Sequence, residues 1–443
     1  KRERRGKVAA SLKIDDNNFS FTKMGLPAFP SPISPLSSSF IHSLVLHSFR
    51  VVSSSTLASE IDMSQSDADS SSSNVSTGLS IPASASSSNS SVLDCNTCPV
   101  DTGTTPIMNS FAAYQLGKDQ FLHDVTGNEM TLDRFGKLLC TSSVYRLFYS
   151  YTSIISRDAP RCTTSFSKNV NFNRYLDIPC YEENRIVLEA YSNPDYIHAN
   201  FVDGFRKIKK YICAQSPLQS TIDRFWDMVW QEKVITVVAL YVPNYYFPLK
   251  SGEKVTVSSY TVTHQGTTNV RGIYDATVLQ LTKGGESRRI IHFEYFDWPR
   301  KSTPKHPTEI LALLADVRYN HQLLRAKAEK EKWLKSTDSS PILVHCCTGA
   351  GRSATLIALD ILCDKMDKSH KGGKCVIDVT DTVTRLRTQR AMAVQKPEEF
   401  VFLNLVALEY ALRKKYFNSE DAATLHMSNY YLFPAPETDA TDN

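Results

Sequence analysis

The run Val344-His-Cys-Cys-Thr-Gly-Ala-Gly-Arg-Ser353 sets Cys346 six positions before Arg352, with His345 ahead of the Cys and two Gly between. Pro341–Val344 is short and apolar, as a buried strand is, and residues 354–362 have the apolar run of a buried helix. Cys346 therefore falls in a strand-to-helix turn. A loop entering a helix points unpaired backbone N–H groups at one spot, and the helix dipole adds positive potential there. Gly349 and Gly351 let the loop curl with positive φ and close backbone approach, so His345, Cys347, Thr348, Gly349, Ala350 and Gly351 can line an anion cradle. The same field favours the nucleophilic thiolate of Cys346. Arg352 offers a planar fork for two phosphate oxygens. Nucleophile, cradle and clamp are the parts of a covalent phosphoryl transfer. Ser353 can hydrogen-bond the sulfur when it leaves. His345 is expected to order the loop rather than act as a base, because a thiolate needs none. The competing reading is a buried structural Cys beside a helix-start Gly turn.

This segment resembles the signature loop of the protein tyrosine phosphatases, the Cys-dependent, phosphotyrosine-specific family. The resemblance covers about residues 110 to 416, and further segments support it in the family's order. NFNRYLDIP (171–179) resembles the phosphotyrosine-recognition loop, and DYIHANFVDG (195–204) and YICAQSPLQSTIDRFWDMVWQ (211–231) resemble core strand and helix motifs. HFEYFDWP (292–299) resembles the lead-in to the mobile acid loop, and RLRTQRAMAVQ (385–395) the run that ends in a water-positioning Gln. The resemblance implies that Tyr175 stacks on a phosphotyrosine ring, Asp177 grips substrate backbone, and Gln395 positions the hydrolytic water. It implies no metal and no organic cofactor. The plainer roles are a half-buried loop aromatic for Tyr175, a turn carboxylate for Asp177 and a surface amide for Gln395.

The departures from the family pattern are informative. The acid loop of the family reads Trp-Pro-Asp, and here it reads Trp298-Pro299-Arg300. Arg does not give up its proton, so it can serve neither as the acid for the leaving tyrosyl oxygen nor as the base for water. Asp297 is the nearest substitute. Phe172 stands where Lys is usual, His198 where Asn is, and Ser216 where Gly is. The segment 238–248 resembles a shortened form of a loop that carries a Glu and a Lys in the family. Glu399 stands where a second Gln is usual, and a Glu there opposes anion binding by like charge. The binding parts are thus better kept than the turnover parts. Two readings follow: a slow phosphotyrosine phosphatase, or a pseudophosphatase that holds phosphotyrosyl proteins as an adaptor or substrate trap. A scaffold with no phosphate site is a third, and it requires partner binding to survive Arg352→Lys. The Asn-Arg-Tyr run favours a deep, tyrosine-sized pocket over a dual-specificity or lipid-phosphatase site.

The elements that must position these residues can be read around them. Short β-branched runs at 234–240, 254–262, 276–281, 289–296 and 341–344 alternate with helical stretches at 223–230, 307–335, 353–365, 378–390 and 397–415. Residues 131–155 have apolar spacing and aromatic weight suited to an N-terminal helical part. The mixture implies an α/β (α+β) fold, a highly twisted mixed sheet with helices on both faces. Residues 1–108 are rich in Ser and Pro and are expected to be disordered, the folded domain spans 109–416, and 417–443 reads as a loosely ordered tail.

The chain has 443 residues and a net charge of +4, too mild to argue for nucleic acid. The basic runs 205–210 and 325–335 suit solvated surface or acidic, phosphorylated partners. Ten Cys without regular spacing, and a signature that needs a free thiol, point to a reducing intracellular compartment, the cytoplasm. Cys95 and Cys98 lack the second pair that a zinc site wants. Cys347 invites a resolving-thiol role, although adjacent Cys pair with strain and a small loop residue is the simpler reading. The apolar run at 40–52 is too short and too polar to span a bilayer, but a degenerate signal segment stays open. The chain begins with Lys rather than Met, as a fragment or an incomplete gene product would. Oligomeric state leaves no mark on the sequence.

Overall fold

A computed structural model of the chain describes residues 121–417, except 142–143, 192–193, 300–301 and 305–306. The Ser/Pro-rich region, the apolar run at 40–52, the Cys95–Cys98 pair, Arg300 and most of the tail lie outside the described residues. In chain order the elements are β1 (Met130–Thr131), α1 (Leu132–Thr141), α2 (Val144–Ile155), α3 (Thr164–Lys168), β2 (Arg185–Val187), β3 (Tyr196–Gly204) and β4 (Lys207–Gln215). Then come α4 (Ile222–Gln231), β5 (Thr236–Ala239), β6 (Lys254–Val257), β7 (Tyr260–Val270), β8 (Tyr274–Lys283) and β9 (Glu286–Tyr295). The chain continues with α5 (Pro307–Lys330), β10 (Ile342–Cys346), α6 (Arg352–Lys371), β11 (Val376–Ile377), α7 (Val379–Arg387) and α8 (Pro397–Arg413).

A nine-stranded sheet runs β2-β3-β4-β10-β5-β9-β8-β7-β6, and β1 pairs with β11 apart from it. The centre, β4-β10-β5-β9, is parallel, and both flanks are antiparallel. Parallel strands are covered on both faces and read as continuous apolar runs, which is why Ile342–Cys346 and Thr236–Ala239 are buried throughout. One face packs on the cluster built from α1, α2, α5, α6 and α8, and the other on the cluster built around α4. Ligands in such sheets bind beyond the carboxyl ends of the parallel strands, and Cys346 is the last residue of β10, in register with Gln215 of β4.

Several sequence expectations needed adjustment. The run 254–262 is two strands, because Ser258 takes a left-handed φ of 52° and turns β6 back on β7. Residues 131–155 form two helices, α1 and α2. The helix expected over 307–335 ends at Lys330. Beyond it Lys332 adopts φ 67°, and the Arg325 guanidinium binds the carbonyls of Ser336, Asp338 and Ser339. That basic run is therefore partly spent on closing a helix end. In the interior, Lys210 and Arg318 converge on Asp360, which is 2% exposed and also takes the Tyr211 hydroxyl. Burial alone would raise the Asp360 pKa, but the two cations outweigh it and lower it. Among the described residues no helix is long and apolar enough to cross a membrane.

Candidate active site

The loop between β10 and α6 is shaped by two close backbone approaches. Gly349 has φ 66°, and a Cβ there would sit 2.3 Å from the Ala214 carbonyl oxygen. Gly351 is needed for a different reason than expected: its φ is −78°, and a Cβ would meet the Glu399 carboxylate at 2.5 Å. No side chain caps the first turn of α6, so its leading amides stay available. The Gly349 N–H donates to Cys346 Sγ at 3.2 Å, and the Ala350 N–H donates to Thr348 Oγ1 at 3.1 Å. Gly349→Ala is expected to lower stability by more than about 1 kcal/mol and to abolish oxyanion binding, read as thermal unfolding with and without tungstate.

Arg390 holds the outer side of this loop. It is fully buried, and it donates from Nε to the Gly349 carbonyl at 2.9 Å and from Nη2 to the Thr348 carbonyl at 3.0 Å. Drawing those carbonyls outward leaves amides to face inward. Its Nη1 reaches Asn200 Oδ1 at 2.7 Å, and Nη2 lies 3.0 Å from His198 Nδ1. Burial, with Arg390 beside it, lowers the His198 pKa to about 3. A neutral His198 accepts from Arg390 and donates from Nε2 to the Ile178 carbonyl at 2.9 Å, tying the cradle to the loop that carries Tyr175.

His345 is ordered by a buried chain. Ser216 Oγ donates to the Tyr241 carbonyl at 2.9 Å, so it accepts from His345 Nδ1 at 3.0 Å. His345 Nε2 then accepts the Tyr246 hydroxyl at 2.6 Å, and Tyr246 accepts from His292 Nε2 at 2.7 Å. Burial, with Arg174 behind it, lowers the His345 pKa to about 3, so the ring in this chain is neutral.

A cleft of about 260 Å³ opens over the loop, and Cys346, Cys347, Thr348, Gly351, Arg352, Tyr175, Asp177 and Gln395 line it. Ile178, Tyr241, Lys396 and Glu399 complete the lining. His345 and Ala350 lie behind the wall, fully buried. Ser353 is also fully buried, and its Oγ has no hydrogen-bond partner among the described residues. Asp297 is exposed and is not part of the cleft wall. Arg352 donates from Nη1 to Leu240 O at 3.1 Å and from Nη2 to Pro299 O at 3.0 Å, and its guanidinium lies 5.4 Å from the Tyr241 ring centre. The Trp-Pro segment is thus held to the clamp one residue before position 300.

The recognition loop is pinned from behind. The Arg174 N–H donates to Gln215 Oε1 at 2.9 Å, and its guanidinium reaches the Pro217 carbonyl at 2.8 Å. Asn173 Oδ1 accepts the Tyr196 hydroxyl at 2.7 Å. Tyr175 stays 39% exposed at the rim, its hydroxyl 3.1 Å from Cys347 Sγ. Opposite, Met392 and Val394 both take φ 55° just before Gln395. Such strain in a β-branched residue is characteristic of a functional turn. The Tyr151 hydroxyl steadies it from α2 against the carbonyls of Val394 and Gln395.

Sequence reading alone did not find Arg390, Tyr241 or Tyr246. Arg390 lies within the run 385–395, and nothing local distinguishes it from Arg385 and Arg387; its burial shows only in the fold. Tyr241 and Tyr246 lay in the segment read only as a shortened loop.

Comparison with known proteins gives the family and the fold. The protein-tyrosine phosphatase profile matches residues 169–409, more than half of the chain. The chain belongs to that family. It is 32% identical over 256 residues to human tyrosine-protein phosphatase non-receptor type 9, covering 55% of this chain and 42% of that one. It is 31% identical over 263 residues to the Caenorhabditis elegans tyrosine-protein phosphatase Lar-like, covering 56% of this chain and 11% of the relative. The chain therefore spans less than half the length of these relatives. The catalytic domain of human protein tyrosine phosphatase non-receptor type 18 superimposes with a TM-score of 0.54 at 23% identity, covering 63% of this chain and 98% of that one. That likeness shows the fold.

Proposed function

We propose that the chain is a slow protein-tyrosine phosphatase that hydrolyses phosphotyrosine on proteins through a cysteinyl-phosphate. The observation that carries the reading is the shared wall of one cleft: Cys346 under the Gly349 amide, Arg352 beside it and Gln395 opposite. Cys346 Sγ attacks phosphorus, the S–P bond forms and the bond to the tyrosyl oxygen breaks. The loop amides and Arg352 stabilise the charge on the transferring oxygens. Ser353, whose hydroxyl has no partner among the described residues, would stabilise the departing thiolate in the second step. The tyrosyl oxygen leaves as phenolate and takes its proton from solvent; Gln395 then positions a water that displaces sulfur and gives up a proton to solvent, leaving inorganic phosphate and the restored thiolate. Tyr175 and Asp177 hold the phosphotyrosyl segment at the rim, so the partners are phosphotyrosine-containing proteins inside the cell.

Arg300 favours a second reading, a pseudophosphatase that binds such proteins without efficient turnover. The test is phosphate release from a phosphotyrosyl peptide, with a phosphoseryl peptide as control. Release confined to phosphotyrosine supports the enzyme. Binding without release makes the protein a phosphotyrosine-binding module, and neither binding nor release overturns both readings.

A further inference from the structure

Building on that reading of the cleft, we propose that Glu399 makes this cradle take its oxyanion together with a proton, so that it selects by charge state. Glu399 is 5% exposed, lines the cleft, and sets a carboxylate oxygen 2.5 Å from where a Gly351 Cβ would lie. One carboxylate oxygen, Oε2, accepts the Lys396 N–H at 3.1 Å across the start of α8. Among the described residues, Lys396 and the Gln395 backbone from its own turn and Arg352 from α6 act on it, the Tyr151 hydroxyl of α2 feels its charge, and Cys346 lines the same cleft. Arg352 directs both Nη groups to the carbonyls of Leu240 and Pro299, so no fork closes on the Glu399 carboxylate.

An ionised Glu399 and a bound dianion would compete for Arg352, the one guanidinium in the cleft wall among the described residues. A protonated Glu399 removes that conflict and gains an O–H that can donate to the anion. Burial raises its pKa, and Lys396, Arg352 and the Gln395 backbone only partly offset this, leaving it at about 7. The sign follows: a raised carboxyl holds its proton below about pH 7, so anion binding is full there and is lost as pH rises through that value. The neutral Gln that the family pattern carries at this position would show no such dependence.

The experiment is tungstate titration of the full chain between about pH 6 and pH 8.5, where tungstate stays a dianion. Wild-type affinity is expected to fall about tenfold per unit above about pH 7. E399Q should bind independently of pH there, about tenfold tighter than wild type at pH 8. Calorimetry in buffers of different ionisation enthalpy reads the uptake of one proton without any mutation. A slope that survives E399Q overturns the inference, and its loss in C346S would assign the proton to the thiol. Folded protein that holds no tungstate at any pH overturns the phosphate cradle itself, and this inference with it.

Discussion

Replacing Cys346 by Ser removes hydrolysis of p-nitrophenyl phosphate, by on the order of 10⁴-fold or more in kcat, while a phosphotyrosyl peptide stays bound. Ser nearly matches the size of Cys, so the end of β10 and the Gly349 turn are undisturbed. Its hydroxyl does not ionise near neutrality, so the nucleophile is lost and the binding parts remain: the loop amides, Arg352 and Tyr175. Cys347 makes the experiment decisive. It lies beside Cys346 in the same cleft wall, with its sulfur 3.1 Å from the Tyr175 hydroxyl. The Gly349 amide aims at Cys346 instead. Cys347→Ser should therefore retain most activity. The reverse pattern, with C346S active and C347S dead, would move the nucleophile one residue along.

Much of this site was legible because local chemistry announces it. A Cys and an Arg six residues apart, with His345 before them, two Gly between and a strand-to-helix context, favour a turn that faces something anionic over a buried structural Cys. The parallel strands were legible because burial on both faces leaves unbroken apolar runs. What escaped the reading is tertiary. The Ser258 turn between β6 and β7 carries no Gly or Asn, so nothing in 254–262 marks the reversal. Arg390 works by reaching two carbonyls some forty residues away, which spacing cannot foretell. Of the positive φ and close approach that glycine allows, Gly349 uses both and Gly351, at φ −78°, only the close approach, to the Glu399 carboxylate at the start of α8. The like-charge objection to Glu399 also changes form, because burial sets the pH at which the charge exists at all.

Restoring the missing acid should have the opposite effect to C346S. Arg300→Asp is expected to raise kcat toward phenyl phosphate and phosphotyrosyl peptide by about 10²-fold or more, the size of a positioned proton donor. The effect should be small for p-nitrophenyl phosphate, whose leaving group departs without protonation. The ratio of the two rates is thus the readout, since a general gain in binding or folding would move both. The neighbouring geometry is already in place: Trp298 is buried against Phe402, and Pro299 gives its carbonyl to Arg352 Nη2 at 3.0 Å. An Asp at the next position would follow a segment tied to the phosphate clamp. Loss of the Arg300 charge should at the same time weaken attraction of acidic peptides, raising KM modestly at low salt. An unchanged ratio would mean that proton donation does not limit turnover, and would shift the weight of Arg300 from a lost acid to a residue that holds the phosphopeptide.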